Sequence, residues 1–502
     1  MSEAIPEIDW TPPPAKMRQA ASILLVREGE EGRRIFWVRR GSSLRFGPGM
    51  YAFPGGKVDA ADAAIPVAGV SEEERPFVVA AIREAFEEVG ILLAKGAEKL
   101  GEEARKEMRG ALLGGAPFGE LLARHGLVLD GRRLVPVGRW MTPPFSPIRF
   151  DTRFYLALLE DDADIRVNGA EVAAAGWIEP AEALRMWERG EALLHPPTHH
   201  ALAALAGFPP EKAVSILRAP PHMDSDHVVG RIEFQRGIHV FPLRTETLPP
   251  HTHTNCVVVG TGDLVAIDPG ATDPAERERI FQALREMEGE GRRVRAVLLT
   301  HHHGDHAGGA ADLARRLGVP LWASAPVAEK VEGVSRHLED GEVIELSGPM
   351  PMRLRCVLTE GHADGHLCFF DERSRAVIAG DMVADGSTIV IDPPEGKLGL
   401  YLESLKKLLE LPAAALYPAH GFPIPDGPAL LRRYIEHREE RLEQVRAALS
   451  AERVLSLAEV VQTVYSETPS FLHPVAERSA LASLLELERR GLARRRDGGW
   501  AA

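Results

Sequence analysis

Two short apolar runs, 20–26 and 35–38, flank the polar segment GEEGRR and predict a pair of strands joined by a turn. A glycine-rich loop follows at 47–56. A helix is then predicted over 75–89, with Gly90 placed to cap its C-terminus. Further helical patterning covers 102–124, an apolar strand falls at 154–159, and a last helix pattern lies at 180–189. The proline-rich segments HPPTHH and APPHMD, between His195 and Asp224, mark a domain boundary. Beyond Gly237 the texture changes. Short strands at 239–242, 256–259 and 264–267 lead into a helix and then the apolar strand 294–299, an alternation that predicts an α/β layered domain closing near Gly427. From Pro428 the pattern is helical as far as the basic end LARRRDGGW.

The length of 502 residues exceeds one ordinary core and predicts about three domains. We expect them at 1–210, 225–430 and 431–502. The net charge of −14 gives no whole-protein attraction to nucleic acid or anionic membrane, so such binding would need a local basic patch. Three cysteines (Cys256, Cys356 and Cys368) make no disulfide framework and fit a reducing compartment. The first twenty residues carry acids and prolines (Glu3, Glu7, Asp9, Pro12, Pro13, Pro14) and read as no signal peptide. The apolar runs fall short of the roughly 18 residues of a membrane span. A soluble cytoplasmic protein without a membrane partner is expected.

Within AAIREAFEEVGI, Glu84, Glu87 and Glu88 share one helix face by their i, i+3, i+4 spacing. Like charges so placed repel. Either this is a solvated acidic face, or a hard divalent cation with oxygen ligands reverses the repulsion, as suits phosphate chemistry. FPGGKVD (53–59) followed by REAFEEVGI (83–91) resembles the Nudix box, G-x5-E-x7-R-E-U-x-E-E-x-G-U. The box places its arginine fourteen positions after the glycine, whereas Gly56 and Arg83 are 27 apart, so about thirteen residues are inserted between Val58 and Pro76. Asp62 and Glu74 are both candidates for the intervening glutamate. The resemblance implies that Glu84, Glu87 and Glu88 bind Mg²⁺ or Mn²⁺ and help activate water, that Gly55 offers a backbone carbonyl, and that Arg83 orients a glutamate. RGSSLRFGPGMYAFPGG (40–56) is similar to the element before the box in coenzyme A diphosphatases, and RWMTPPFSPIRFDTRFYLAL resembles the acyl-CoA-cleaving mammalian Nudix group, unless it is simply a core strand. Coenzyme A or a related nucleoside diphosphate derivative is the substrate implied. Glu171, before Trp177, stands where many Nudix enzymes carry another acid.

THHHGDHAGG starts at Thr300, directly after an apolar strand. His301 and His303 alternate from the strand end and point the same way, and Asp305 and His306 come round after Gly304. Imidazoles and a carboxylate this close suit zinc; a surface histidine tract is the other reading. His362, Asp381 and His420 each follow a later apolar run. The ordered set HxHxDH, H, D, H is the signature of the metallo-β-lactamase fold. By that resemblance His301, His303 and His362 hold one zinc, Asp305, His306 and His420 the other, and Asp381 bridges them, with Asp305 also counted as catalytic. His302 is a bystander, and His251 and His253 are loop residues near the pocket.

From Gly237 onward the chain resembles the family of the metallo-β-lactamase-like mitochondrial endoribonuclease, through His366, GDMVADGSTIVIDPPEGKLGLYLESLKKLL, YPAHGFPI and the C-terminal segment. The helix, helix, basic-hairpin order of the tail is similar to a small winged-helix domain. Arg489, Arg490, Arg494, Arg495 and Arg496 could meet phosphates or compensate a helix end. The expected architecture is multidomain α/β: a Nudix α/β/α sandwich, a metallo-β-lactamase αβ/βα sandwich and a C-terminal winged helix. The expected function is a bifunctional metal-dependent hydrolase, with Mg²⁺ or Mn²⁺ serving diphosphate hydrolysis. Two Zn²⁺ would serve hydrolysis of a small thioester or of single-stranded RNA. The alternative is a di-zinc endoribonuclease beside a non-catalytic Nudix ligand-binding module.

Overall fold

A computed structural model describes residues 16–30, 32–42, 44, 46–159, 167, 172–220, 231–468, 472–496 and 498–502. The first fifteen residues, Arg45, Glu171 and the 221–224 end of the proline-rich boundary lie outside them. The chain divides into two compact units, 14–229 and 230–502.

In the first unit, β1 (Met17–Gly29) and β2 (Gly32–Arg40) pair antiparallel across the expected turn, and the sheet runs Val172–Ile178, β2, β1, Arg149–Leu158, Val135–Met141. β1 and Arg149–Leu158 run parallel, from Met17 opposite Arg149 to Val26 opposite Leu158. Successive side chains of a strand face opposite ways. Ile23 and Leu25 therefore pack under α1 (Arg75–Val89) with Phe77, Ile82 and Phe86. Leu24 and Val26 pack with Trp187 and Leu202 of the helices Pro180–Arg189 and Pro196–Gly207. The result is a sheet between two helical layers. The strand expected at 154–159 is the end of a longer one. The stretch expected to be helical over 102–124 is two helices, Glu102–Leu113 and Phe118–Arg124, because Gly114 and Gly115 interrupt it and Pro117 caps the second.

The second unit stacks a seven-stranded sheet, from Ile232–Gln235 to Val334–His337, and a five-stranded sheet, from Val343–Leu346 to Ala415–Pro418. Pro274–Gly289 and Ala310–Leu317 cover one sheet, while Leu398–Glu410 and Gly427–Ala448 cover the other, giving an αβ/βα sandwich. The tail forms helices Leu457–Val464 and His473–Arg489 and a hairpin of Arg494–Arg496 with Gly499–Ala501. One continuous core joins Tyr401, Leu405, Leu431, Tyr434 and Val445 to Val460, Leu484 and Trp500. Among the described residues no helix is long and apolar enough to cross a membrane.

Candidate metal centres

The histidine cluster assembles where strands of both sheets end. Arg293–Leu298 leads to His301, Met352–Leu358 to His362, Ala376–Gly380 to Asp381 and Ala415–Pro418 to His420. His303 caps the short helix Gly304–Ala307, which carries Asp305 and His306. Close approach is built into this loop. A Cβ on Gly270 would lie 1.7 Å from the Asp305 carbonyl oxygen, so only glycine lets the two backbones meet.

Two triplets converge, His301 with His303 and His362, and Asp305 with His306 and His420; within each, the ligand atoms lie within 4.8 Å of one another. His303 Nδ1 is 3.0 Å from His301 Nε2 and 3.1 Å from His362 Nε2. Asp381 stands between the triplets, one oxygen 3.5 Å from His362 Nε2 and the other 3.3 Å from His420 Nε2 and 3.5 Å from His306 Nε2.

The far nitrogens of these rings are fixed by acceptors. His362 Nδ1–H donates to the Val390 carbonyl at 2.9 Å, His420 Nδ1–H to the His253 carbonyl at 3.1 Å, and His306 Nδ1–H to Asp268 at 2.8 Å. Thr300 spends its hydroxyl hydrogen on Asp268 at 2.6 Å, so it accepts from His301 Nδ1–H at 3.0 Å. With Nδ1 as the donor, the neutral form of each of these four rings carries its lone pair on the inward Nε2, the tautomer that a metal ligand requires. His306 Nε2 and Asp381 Oδ1 are buried without a hydrogen-bond partner. Orphaned polar atoms facing each other are what a bound cation would satisfy.

Electrostatics divides the two triplets. Burial and the surrounding imidazoles hold His301 well below its ordinary value, and burial with the adjacent His362 pushes His303 down to about 3. Burial opposes protonation of His306, yet Asp305, Asp381 and Asp268 raise it well above the ordinary value. His420 is also raised against burial, chiefly by Asp381. Burial works against the charge of Asp381, but His420 and His306 keep it well below the usual carboxylate range.

Several neighbours were not singled out as site residues from sequence. Asp268, in IDPG after the strand Asp263–Ile267, accepts from the Thr300 N–H at 2.8 Å as well as from His306. His366, noticed only as a family match, accepts from the Asp381 N–H at 3.2 Å and donates through Nδ1 to Thr359 at 2.9 Å. His302 faces Glu395 at 3.4 Å, and Lys330 closes on the same carboxylate at 2.6 Å. His251 stacks on His420, and His253 contributes its carbonyl.

The Nudix-like residues are arranged differently. Arg83, 8% exposed, sits at the centre of a carboxylate ring. Its Nε and Nη2 bind both oxygens of Asp62 at 3.1 Å, Nη1 donates to Glu84 at 2.8 Å and to Glu87 at 3.3 Å, and Nη2 also reaches the Lys57 carbonyl at 2.8 Å. Asp62 lies six positions after Gly56, the G-x5-E spacing, so the inserted residues follow it. Glu74, the other candidate, is engaged by Arg153 and by Tyr155 at 2.5 Å. The Gly55 N–H donates to Glu88 at 3.0 Å, and a Cβ on Gly56 would strike the Glu84 carboxyl at 2.5 Å. Burial raises the Glu87 pKa against the pull of Arg83. Among the described residues, the carboxylates of Glu84, Glu87 and Glu88 are not drawn together within 4.8 Å as the histidine triplets are.

Family models match in the same order as these structures. The model described as NUDIX domain matches 16–111, and that described as NUDT19 Nudix domain matches 68–205. Metallo-beta-lactamase superfamily matches 249–420, and Beta-lactamase associated winged helix domain matches 456–500. The chain is 34% identical over 231 residues to the lactamase-like protein adaB of Aspergillus niger, covering 43% of this chain and 69% of that one. It is 35% identical over 225 residues to the lactamase-like protein aptB of Emericella nidulans, with the same coverage. A solved NUDIX hydrolase from Alicyclobacillus acidocaldarius is 33% identical, covering 41% of this chain and 99% of that one, with a TM-score of 0.37. The chain belongs to the metallo-β-lactamase superfamily and carries a Nudix domain before that fold and a winged helix after it. Both catalytic folds are those of hydrolase families that use divalent metals.

Proposed function

We propose that the protein is a bifunctional hydrolase whose lactamase-fold site carries two zinc ions and whose Nudix site takes Mg²⁺ or Mn²⁺. The observation that carries the zinc reading is the pair of orphaned buried atoms, His306 Nε2 and Asp381 Oδ1, in a cluster where the outer nitrogens of His301, His306, His362 and His420 already have acceptors. His301, His303 and His362 would hold one ion and Asp305, His306 and His420 the other, with Asp381 available to both. Bound metals would lower the pKa of water and polarise the substrate oxygen. Asp305 accepts from the Thr254 hydroxyl at 3.2 Å, which orients its carboxyl group toward the second triplet, and His366 accepts from the Asp381 N–H. The substrate at this site is a small thioester of the acyl-CoA class. Single-stranded RNA is the second reading, favoured by Arg494 and Arg496, which stand exposed on the tail hairpin without an ion-pair partner among the described residues. The rest of the basic cluster is engaged, Arg489 and Arg490 by Glu486 and Arg495 by Glu488.

At the Nudix site Glu84, Glu87 and Glu88 would hold the metal and Gly55 would offer its carbonyl, with coenzyme A or another nucleoside diphosphate derivative as substrate. Arg83 holds Glu84 and Glu87 on one side of the helix. Three buried, unpaired cysteines support a reducing, cytoplasmic setting. The test assays purified protein against acyl-CoA thioesters, nucleoside diphosphate derivatives and single-stranded RNA, with Zn²⁺ or Mg²⁺ supplied separately. Thioester cleavage requiring Zn²⁺ and diphosphate cleavage requiring Mg²⁺ are expected. Absence of every diphosphate activity would transfer the Nudix domain to the binding-module alternative, and RNA cleavage without thioester cleavage would replace the zinc-site substrate.

A further inference from the structure

The Val390 carbonyl that fixes His362 belongs to a loop, 384–395, without helix or strand of its own. Such a segment holds a ligand only if something else holds the segment. The helix Gly427–Ala448 does so from one face. Tyr434 and Arg438 are spaced i, i+4 and so point the same way. The Tyr434 hydroxyl donates to the Ser387 carbonyl at 2.6 Å and accepts from the Ala384 N–H at 3.1 Å. Arg438 Nη2 donates to the Ile389 carbonyl, the one immediately before Val390.

Arg438 is buried, its Nε has no hydrogen-bond partner, and among the described residues no carboxylate pairs with it. A buried guanidinium without a counter-ion is a poor stabiliser, and an apolar residue of its size would serve the core as well or better. Apart from the Tyr401 ring, whose centroid lies 5.5 Å from the guanidinium carbon, packing gives no reason for arginine here. The neighbouring carbonyl does, since an arginine reaches it with a rigid, permanently charged donor.

We propose that Arg438 and Tyr434 are positioning residues for the metal site. Lying beyond the last candidate ligand and outside the matched lactamase region, they clamp the loop so that Val390 holds His362 in its ligating tautomer. This rests on the reading above in which His362 holds a metal.

The test uses the full chain as parent, Arg438→Met, Arg438→Lys and Tyr434→Phe, with His362→Ala as control. Zinc affinity is measured by competition with a chromophoric chelator, ligand geometry by the visible absorption of the Co²⁺-loaded protein, and fold stability by thermal melting without metal. Arg438→Met is expected to weaken zinc binding about 10-fold, the lower end of the effect of outer-shell partners. It should also shift the Co²⁺ bands while the metal-free melting temperature stays level or rises. Arg438→Lys, keeping a charged donor, should restore part of the affinity, and Tyr434→Phe should move affinity and bands in the same direction by a smaller factor. A folded Arg438→Met with the parent's affinity and spectrum overturns the proposal. If Arg438→Met does not fold, parental affinity and spectrum in Tyr434→Phe overturn it instead. A parent that takes up no zinc removes the metal reading itself, whereas a parent that binds zinc and loses an ion in His362→Ala leaves that reading standing whatever the clamp variants show.

Discussion

The two candidate metal centres are prepared in opposite ways. In the lactamase-fold unit the residues that spacing brought forward already stand together, with the outer nitrogens of His301, His306, His362 and His420 bonded to Thr300, Asp268, Val390 and His253. In the Nudix unit Glu84 and Glu87 are held by Arg83, a cation belonging to the protein, and Glu88 accepts from the Gly55 N–H. The difference follows from charge. Burial disfavours the charged forms of His301 and His303, which can therefore crowd to about 3 Å, while Asp305, Asp381 and Asp268 offset the charge that His306 and His420 favour. Carboxylates cannot crowd so, and a helix that lines up three of them needs a counter-charge in the folded protein. One candidate site is assembled by the protein's own hydrogen bonds. In the other, Glu84 and Glu87 are tethered to a guanidinium and would share their oxygens with any ion that entered.

Selective removal tests this contrast most severely. Glu87→Gln with Glu88→Gln is expected to abolish diphosphate hydrolysis while zinc-dependent turnover stays within about 3-fold, since the residues lie in separate units. Diphosphate cleavage surviving in the double variant would reject the assignment of the acids. Asp305→Asn should reduce zinc-dependent kcat by at least about 100-fold, through loss of a ligand and its charge, with Mg²⁺-dependent activity intact. Full retention would place the measured reaction elsewhere. Asp268→Asn asks whether preassembly matters. It weakens the acceptor of His306 and Thr300 without touching a proposed ligand, and about a 10-fold loss of zinc affinity is expected by chelator competition.

The last two predictions read stability. Zinc at about 1,000 times its Kd should stabilise the lactamase-fold unit by about 4 kcal/mol. Calorimetry with and without chelator should show that shift in one transition and a smaller one for Mg²⁺ in the other. Asp62→Ala strips Arg83 of its most buried partner, whose side chain is 2% exposed, and is expected to destabilise the Nudix unit by about 3 kcal/mol in urea unfolding. A loss below about 1 kcal/mol would mean that Glu84 and Glu87 alone satisfy the guanidinium.

Metal-site chemistry made much of this legible in sequence. Few residue types bind zinc, and a strand brought to its end by a turn delivers them at readable spacings, hence HxHxDH and the later His362, Asp381 and His420. Asp268 escaped notice because an aspartate before Pro-Gly is an ordinary turn residue until the fold sets it beside His306. Glu395 escaped for the same reason, standing in a polar loop far in sequence from His302 and Lys330. The Nudix box looked displaced because its insertion hid the Gly56 to Asp62 spacing. The choice between Asp62 and Glu74 needed the contacts of Arg83, Arg153 and Tyr155.

The sequence by itself determined the order of the three folds, the helix face of Glu84, Glu87 and Glu88, and the residue types at the strand ends, because periodicity and ligand chemistry are local properties of the chain. Tertiary structure alone decided which nitrogen each histidine turns inward, which acid answers Arg83, and that Tyr434 and Arg438 lie against the loop of Val390. Those outcomes depend on contacts between segments tens to hundreds of residues apart. A hydrogen bond of about 3 Å is specified by packing, which no spacing along the chain records.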